Sequence, residues 1–299
     1  MQTLAEIKQL LESHGLRPKR SLGQNFLIDH NLIRRLVDSA GVCSGDLVLE
    51  VGPGTGTMTE ELLRRGCRVV ACELDDHLAG LLPHTMSERA PEGVLCLVHG
   101  DCLHDKHTLA PAIIAAIEAA AGRPAPEFSL VANLPYGAGT PLMTTLLLHH
   151  PNCRRLAVTV QKEVADRLLA APGTKDYGAL AVIGQCLASV ERVATAPPAC
   201  FWPRPEVTSS MVLLTRRSEP LTRDPEGLSE LCRRLFAQRR KQLGSLLGRG
   251  VDWAGVARQP GCEGVLPSLR AEQLSPAAII ALGQALGALD EDSSTPAGL

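Results

Sequence analysis

Asn133, Leu134, Pro135 and Tyr136 follow the apolar run that starts at Ser129, and together they offer an amide oxygen, a peptide carbonyl, a fixed turn and an aromatic face. Those groups suit the amino group of a nucleobase. Its nitrogen lone pair is delocalised into the ring, and a strong base does little against so weak an acid, whereas hydrogen-bond acceptors help. If the Asn133 amide oxygen and the Leu134 carbonyl accept the two amino hydrogens, the nitrogen can pyramidalise and aim its lone pair at an electrophilic carbon. Pro135 would fix the loop, and Tyr136 would offer a face to a base turned out of its own stack. The same four residues also read as a plain strand-ending turn, but that leaves their position opposite a glycine turn unexplained.

The glycine turn is Gly52-Pro53-Gly54-Thr55-Gly56, which follows the apolar run Leu47 to Val51 and precedes a helix expected from about Met58. Glycines there let a ligand lie against the backbone at the carboxyl end of a sheet. A dinucleotide fingerprint needs Gly-x-Gly-x-x-Gly or Ala, and both registers fail because Thr57 and Thr59 occupy the last position. Glu73 ends the second apolar run roughly 20 residues beyond the turn, where a carboxylate can accept from both ribose hydroxyls. Asp101, after the third run, is similarly placed to accept from an adenine amino group. A tight turn, a solvated strand end and a helix cap account for these pieces one by one; jointly they favour a nucleoside-like cofactor. The Glu-x-Gly-x-Gly-x-Gly pattern from Glu50 to Gly56 resembles the first motif of class I S-adenosylmethionine-dependent methyltransferases.

These residues need a scaffold that brings strand ends together. Apolar β-rich runs at Leu47 to Val51, Val69 to Glu73, Val94 to His99, Ser129 to Asn133 and Leu156 to Gln161 alternate with helical stretches. That alternation predicts a mostly parallel sheet covered by helices on both faces. Val190 to Ala196 and Val207 to Leu214 read as two more strands joined by a proline-rich segment, an antiparallel edge. Beyond Arg216 the pattern turns helical, at Leu228 to Leu247 and Pro276 to Leu289. The expected division is therefore a domain over 1–217, a helical domain over 218–289 and a disordered tail over 290–299.

The 299 residues carry 45% hydrophobic and 21% charged side chains and a net charge of -2, which excludes fibrous and disordered classes and any global basic field. Ten cysteines are spread singly with no Cys-x-x-Cys pair, the pattern of reduced thiols in a cytoplasmic protein. Met1 to Leu11 lacks the apolar block of a secretion signal. The charge-free stretch Phe128 to Cys153 is broken by Asn133, Pro135, Gly137, Gly139 and Pro141, which argues against a membrane span. His99, Asp101, His104, Asp105 and His107 have metal-ligand side chains but no standard zinc spacing, so no metal is expected.

Four further segments carry a sharper resemblance: Arg20-Ser-Leu-Gly-Gln-Asn-Phe-Leu27, Gln161-Lys-Glu-Val-Ala-Asp-Arg-Leu168, Phe201-Trp-Pro-Arg-Pro-Glu-Val-Thr-Ser209 and Phe236-Ala-Gln-Arg-Arg-Lys-Gln-Leu243. With the Asn133 to Tyr136 motif they resemble, in order, the signatures of the KsgA family of small-subunit ribosomal RNA adenine N6,N6-dimethyltransferases. The resemblance implies a Rossmann-like class I methyltransferase sheet with a small helical C-terminal domain. It implies S-adenosylmethionine as cofactor and two adjacent adenosines near the 3′ end of the RNA, within a pre-ribosomal particle, as substrate. A monomer is expected. Gln24, Asn25, Leu27, Gly52 and Gly54 would surround the methionine end of the cofactor, Glu73 its ribose and Asp101 its adenine. Asn133, Leu134, Pro135 and Tyr136 would hold the substrate base, with Phe201 as a second aromatic surface. Glu206, where the family commonly has Lys, and the loose Gly137-Ala138-Gly139 segment depart from the pattern.

Cys200 to Gly250 holds ten Lys or Arg against five Asp or Glu, a local charge of +5 in a chain of -2. A helix over Leu231 to Leu247 would put Arg233 above Arg240 and Arg234 above Lys241, a basic stripe to which Arg239 adds, suited to RNA phosphates. A solvated helix face is the plainer reading of such a run. Arg17, Lys19 and Arg20 offer a second contact. The rival functions are adenine methylation of large-subunit RNA or DNA by the same pocket, and a ribosome-assembly factor that keeps the fold without the reaction.

Overall fold

The computed structural model describes residues 1–89, 94–105 and 107–289; the tail 290–299 lies outside the described residues. The apolar runs form strands β1 (Leu47–Val51), β2 (Arg68–Glu73), β3 (Val94–His99), β4 (Phe128–Asn133), β5 (Cys153–Gln161), β6 (Ala188–Ala196) and β7 (Ser209–Arg216). They make one sheet in the order β3-β2-β1-β4-β5-β7-β6. β1 runs parallel to β2 and β4, β2 to β3, and β4 to β5, while β7 is antiparallel to β5 with Ser209 opposite Gln161. The expected α/β sheet with an antiparallel side is thus formed.

Every residue of β1 is buried, as an inner parallel strand covered on both faces requires. Ile33, Leu36 and Val37 of helix His30–Ala40, Met58 and Leu62 of helix Thr57–Arg64, and Leu82 and Met86 of helix Asp76–Arg89 pack with Val48, Val69, Ala71, Val131 and Ala157 of the sheet. Each fully buried Leu or Ile contributes about 1.5–3 kcal/mol. This packing fixes the carboxyl ends of β1, β2 and β4, and with them the loops that leave those ends.

The chain divides into two compact units. The first comprises Met1–Leu146, His150–Ala165 and Glu191–Thr215; the second comprises Leu147–His149, Asp166–Val190 and Arg216–Leu299. A contiguous division at 217 therefore omits two earlier segments that group with the second unit. In that unit helices Ala179–Leu187, Pro225–Phe236 and Pro276–Ala285 pack on one another around Leu180, Leu231, Leu235 and Ile279.

The expected helix over Leu231 to Leu247 is interrupted. It begins at Pro225 under an Asp224 cap, whose Oδ1 accepts from Gly227 N at 2.8 Å, and ends at Phe236. Gln242 then pairs with Arg270 in an isolated antiparallel bridge and Leu243 N donates to Leu269 O at 2.7 Å, before a short helix Leu243–Leu247. Tertiary pairing of the backbone overrides helical propensity there. The last helix stops at Ala285 and not at Leu289, because Gly287 turns left-handed (φ 62°) and Ala288 N bonds back to Gly283 O.

Candidate active site

A cavity of about 700 Å³ in the first unit opens where β1, β2 and β4 end, and Gly52, Gly54, Glu73, Asp101, Asn133, Tyr136 and Phe201 all line it. Its size falls within the roughly 300–1,000 Å³ typical of small-molecule sites. The glycine turn is built for close approach. Gly54 has φ 60°, and a Cβ there would sit 2.8 Å from the Phe26 ring. At Gly52 (φ 72°) a Cβ would press on the Pro135 ring at 3.3 Å. The glycine turn and the Asn133 to Tyr136 loop thus approach closely at Gly52, where an added side chain would crowd Pro135.

Glu73 is 6% exposed. Its Oε2 accepts from Gly54 N at 3.0 Å and its Oε1 from Asp75 N at 2.9 Å. Burial raises its pKa above the ordinary carboxylate value, aided by the charge of Asp75, while those backbone donors pull the other way. A carboxylate has about four acceptor positions, so both oxygens keep capacity for hydroxyl donors. Asp101 is exposed at the rim, and its Oδ1 accepts from Leu103 N at 2.9 Å. Behind the turn Glu50 is fully buried; burial drives its pKa up to about 8, against one hydrogen bond from Thr59 Oγ1 to Oε2 at 2.7 Å.

Asn133 ends β4 with its amide already oriented. Nδ2 donates to the Asn25 carbonyl at 3.0 Å, and Oδ1 is left without a protein partner among the described residues. Leu134 N donates to Thr159 O at 3.2 Å. Tyr136 Oη lies 3.0 Å from Ser209 Oγ, at the first residue of β7. Phe201 is 2% exposed and pairs with Leu27 in a two-residue antiparallel ladder, Phe26–Leu27 against Phe201–Trp202. Gln24 and Asn25 line the same cavity.

Leu27 does not line it: the side chain lies in the hydrophobic core with Ile33 and Leu36. The basic residues lie in the second unit, and the single stripe expected of them is not formed. Arg233 is paired with Glu230 at 2.6 Å. Arg239 donates to Lys175 O and Tyr177 O at 2.9 and 2.8 Å and pairs with Glu272 at 3.3 Å, so it serves its own unit. Arg240 and Lys241 leave the helix in the turn after Phe236, and with Arg234 they are exposed. Among the described residues no group of three or more His, Cys, Asp or Glu is arranged to hold a metal ion; His99 pairs with Asp76 at 2.7 Å.

Asp75 and Ser209 escaped the reading of the sequence, although both touch site residues. Asp75 stands two residues after Glu73, and a second acid at a strand end was a usable signal. Nothing in the sequence marks Ser209 as the partner of Tyr136.

Residues 15–280 match the family described as ribosomal RNA adenine dimethylase. The ribosomal RNA small subunit methyltransferase A of Streptomyces avermitilis is 40% identical over 279 residues, covering 91% of this chain and 89% of the relative. Among solved structures, a dimethyladenosine transferase from Plasmodium falciparum superposes with a TM-score of 0.69 at 23% identity, over 88% of this chain and 97% of the other. The 23S rRNA methyltransferase ErmE superposes with a TM-score of 0.65 at 26% identity, over 88% and 100%. The fold is that of the class I methyltransferases.

Proposed function

Because the chain belongs to the ribosomal RNA adenine dimethylase family, it is an S-adenosylmethionine-dependent dimethyltransferase of small-subunit ribosomal RNA adenine N6, and we propose that the Asn133 to Tyr136 loop holds the target base. The observation that carries this reading is the bond from Asn133 Nδ2 to the Asn25 carbonyl. It leaves Oδ1 as an acceptor whose orientation is set before substrate arrives.

The residues present fit the cofactor. Gly52 and Gly54, both left-handed, put no side chain where the turn lines the cavity, and a buried carboxylate with spare acceptor capacity stands beside them. Gln24, Asn25, Gly52 and Gly54 would flank the methionine end, Glu73 would take the ribose hydroxyls and Asp101 the adenine amine. When bound, S-adenosylmethionine supplies an electrophilic methyl group on a sulfonium sulfur. Asn133 Oδ1 and the Leu134 carbonyl accept the two amino hydrogens of the extruded adenine, so that its nitrogen can pyramidalise. Tyr136, steadied by Ser209, would present an aromatic face to the base; Phe201 borders the cavity but is packed in the hydrophobic core at 2% exposure, so it is a backing residue and not an open second face.

The substrate within this reading is two adjacent adenosines near the 3′ end of the RNA, in a pre-ribosomal particle, met by a monomer whose exposed Arg234, Arg240 and Lys241 contact phosphate. A cytoplasmic setting agrees with ten free cysteines; among the described residues no helix is long and apolar enough to cross a membrane. The test is a pair of variants. Asn133→Ala should abolish transfer to unmodified small subunits while largely preserving S-adenosylhomocysteine binding, and Glu73→Ala should chiefly weaken that binding. Unchanged turnover in the first would refute the role of Asn133.

A further inference from the structure

The wall of the cavity formed by residues 20–25 is fastened to the sheet side of the site at one oxygen atom. Lys19 Nζ lies 2.9 Å from Asp75 Oδ2, and Gln24 Nε2 donates to the same oxygen at 2.9 Å. Gln24 Oε1 accepts from Lys19 N at 2.7 Å, so the two ends of the turn are also closed on each other. Asp75 is 3% exposed, and a buried carboxylate is stable only when paired. Its other oxygen, Oδ1, is occupied separately, capping the helix Asp76–Arg89 by accepting from His77 N at 3.0 Å. Its backbone N–H holds Glu73 Oε1, and Glu73 Oε2 holds Gly54 N.

We propose that Asp75 is a positioning residue, which latches residues 19–25 over the cofactor cavity through Oδ2 and links that closed wall to the ribose-binding carboxylate and the glycine turn. The proposal rests on the cofactor reading above and adds a residue that does not touch the cofactor. A helix cap alone needs only Oδ1; the second oxygen has no other use than the segment. Burial would raise the pKa of Asp75, but the bonds from Lys19 and Gln24 hold it below the ordinary carboxylate value. Lys19 is 43% exposed and Asp75 is buried, so the pair is reached from the solvent side.

Three variants test this: Asp75→Asn, which keeps an Oδ1 cap but presents an amide to Lys19 and Gln24; Lys19→Met; and the conservative Lys19→Arg. S-adenosylhomocysteine affinity by calorimetry should fall about tenfold in the first two, the loss expected of one hydrogen bond to a charged group, and should recover in Lys19→Arg. Amide hydrogen exchange in the free protein should accelerate at Lys19 and Gln24 while the helix Asp76–Arg89 keeps its protection. Unchanged affinity and exchange in both Asp75→Asn and Lys19→Met would overturn the latch, as would an effect of Asp75→Asn alone with faster exchange in the helix. If the unsubstituted protein failed to bind S-adenosylhomocysteine while the exchange pattern held, the cofactor reading would fall and the latch would stand.

Discussion

Replacing Glu50 by glutamine should change how the protein's stability depends on pH. The carboxyl is fully buried behind the glycine turn, with a pKa of about 8 against an ordinary 4.5. Below pH 4.5 it is protonated in both the folded and the unfolded chain and contributes no difference. Between 4.5 and 8 the unfolded chain releases the proton and the folded one keeps it, so stability falls as pH rises, and above 8 the loss is complete. At about 1.4 kcal/mol per pH unit the full interval corresponds to about 5 kcal/mol, which relaxation around the buried charge reduces to about 2–4 kcal/mol. The amide introduced by Glu50→Gln would still accept from Thr59 Oγ1 and cannot ionise. Urea unfolding of both proteins at pH 5, 6.5 and 8 reads the effect: near-equal stability at pH 5 and a variant more stable by about 2–4 kcal/mol at pH 8. Parallel curves for the two proteins across that range would refute the argument, since Glu73, Glu6 and every other carboxyl are common to both.

Gly54→Ala should lower stability by about 1–2 kcal/mol for the left-handed backbone alone, and should weaken S-adenosylhomocysteine binding as the Phe26 ring is displaced; urea unfolding and calorimetry measure the two effects. Ser209→Ala should raise KM for small subunits several-fold by freeing Tyr136, with cofactor affinity unchanged. Arg239→Ala should cost about 1–3 kcal/mol of stability, because it removes bonds from a charged group to two carbonyls of its own unit. Arg240→Ala and Lys241→Ala should leave stability alone and each reduce the salt slope of RNA binding by about 1.

The sheet was legible because apolar β-rich runs at strand length, separated by helical stretches, leave few topologies, and the site was legible wherever chemistry demands a rare residue at a strand end. Glu73, Asp101 and Asn133 stand at or just after strand ends, as read. What the sequence did not reveal depends on contacts between distant segments. The break after Phe236 comes from pairing with residues 269 and 270, and Leu27 turned inward because the ladder with Phe201 sets its register. The basic stripe failed for the same reason: a run of charge read on one helix took no account of Glu272 or of the carbonyls that Arg239 satisfies.

The two-residue ribbon joining Phe26–Leu27 to Phe201–Trp202 couples two parts of the cavity wall that lie far apart in the chain. Asn25, two positions from the residue that pairs with Phe201, supplies the carbonyl that aims the Asn133 amide. The Phe201 position in the cavity wall and the Asn133 amide therefore share one mechanical frame. A substitution that shifts the ribbon moves both together, so neither is repositioned alone.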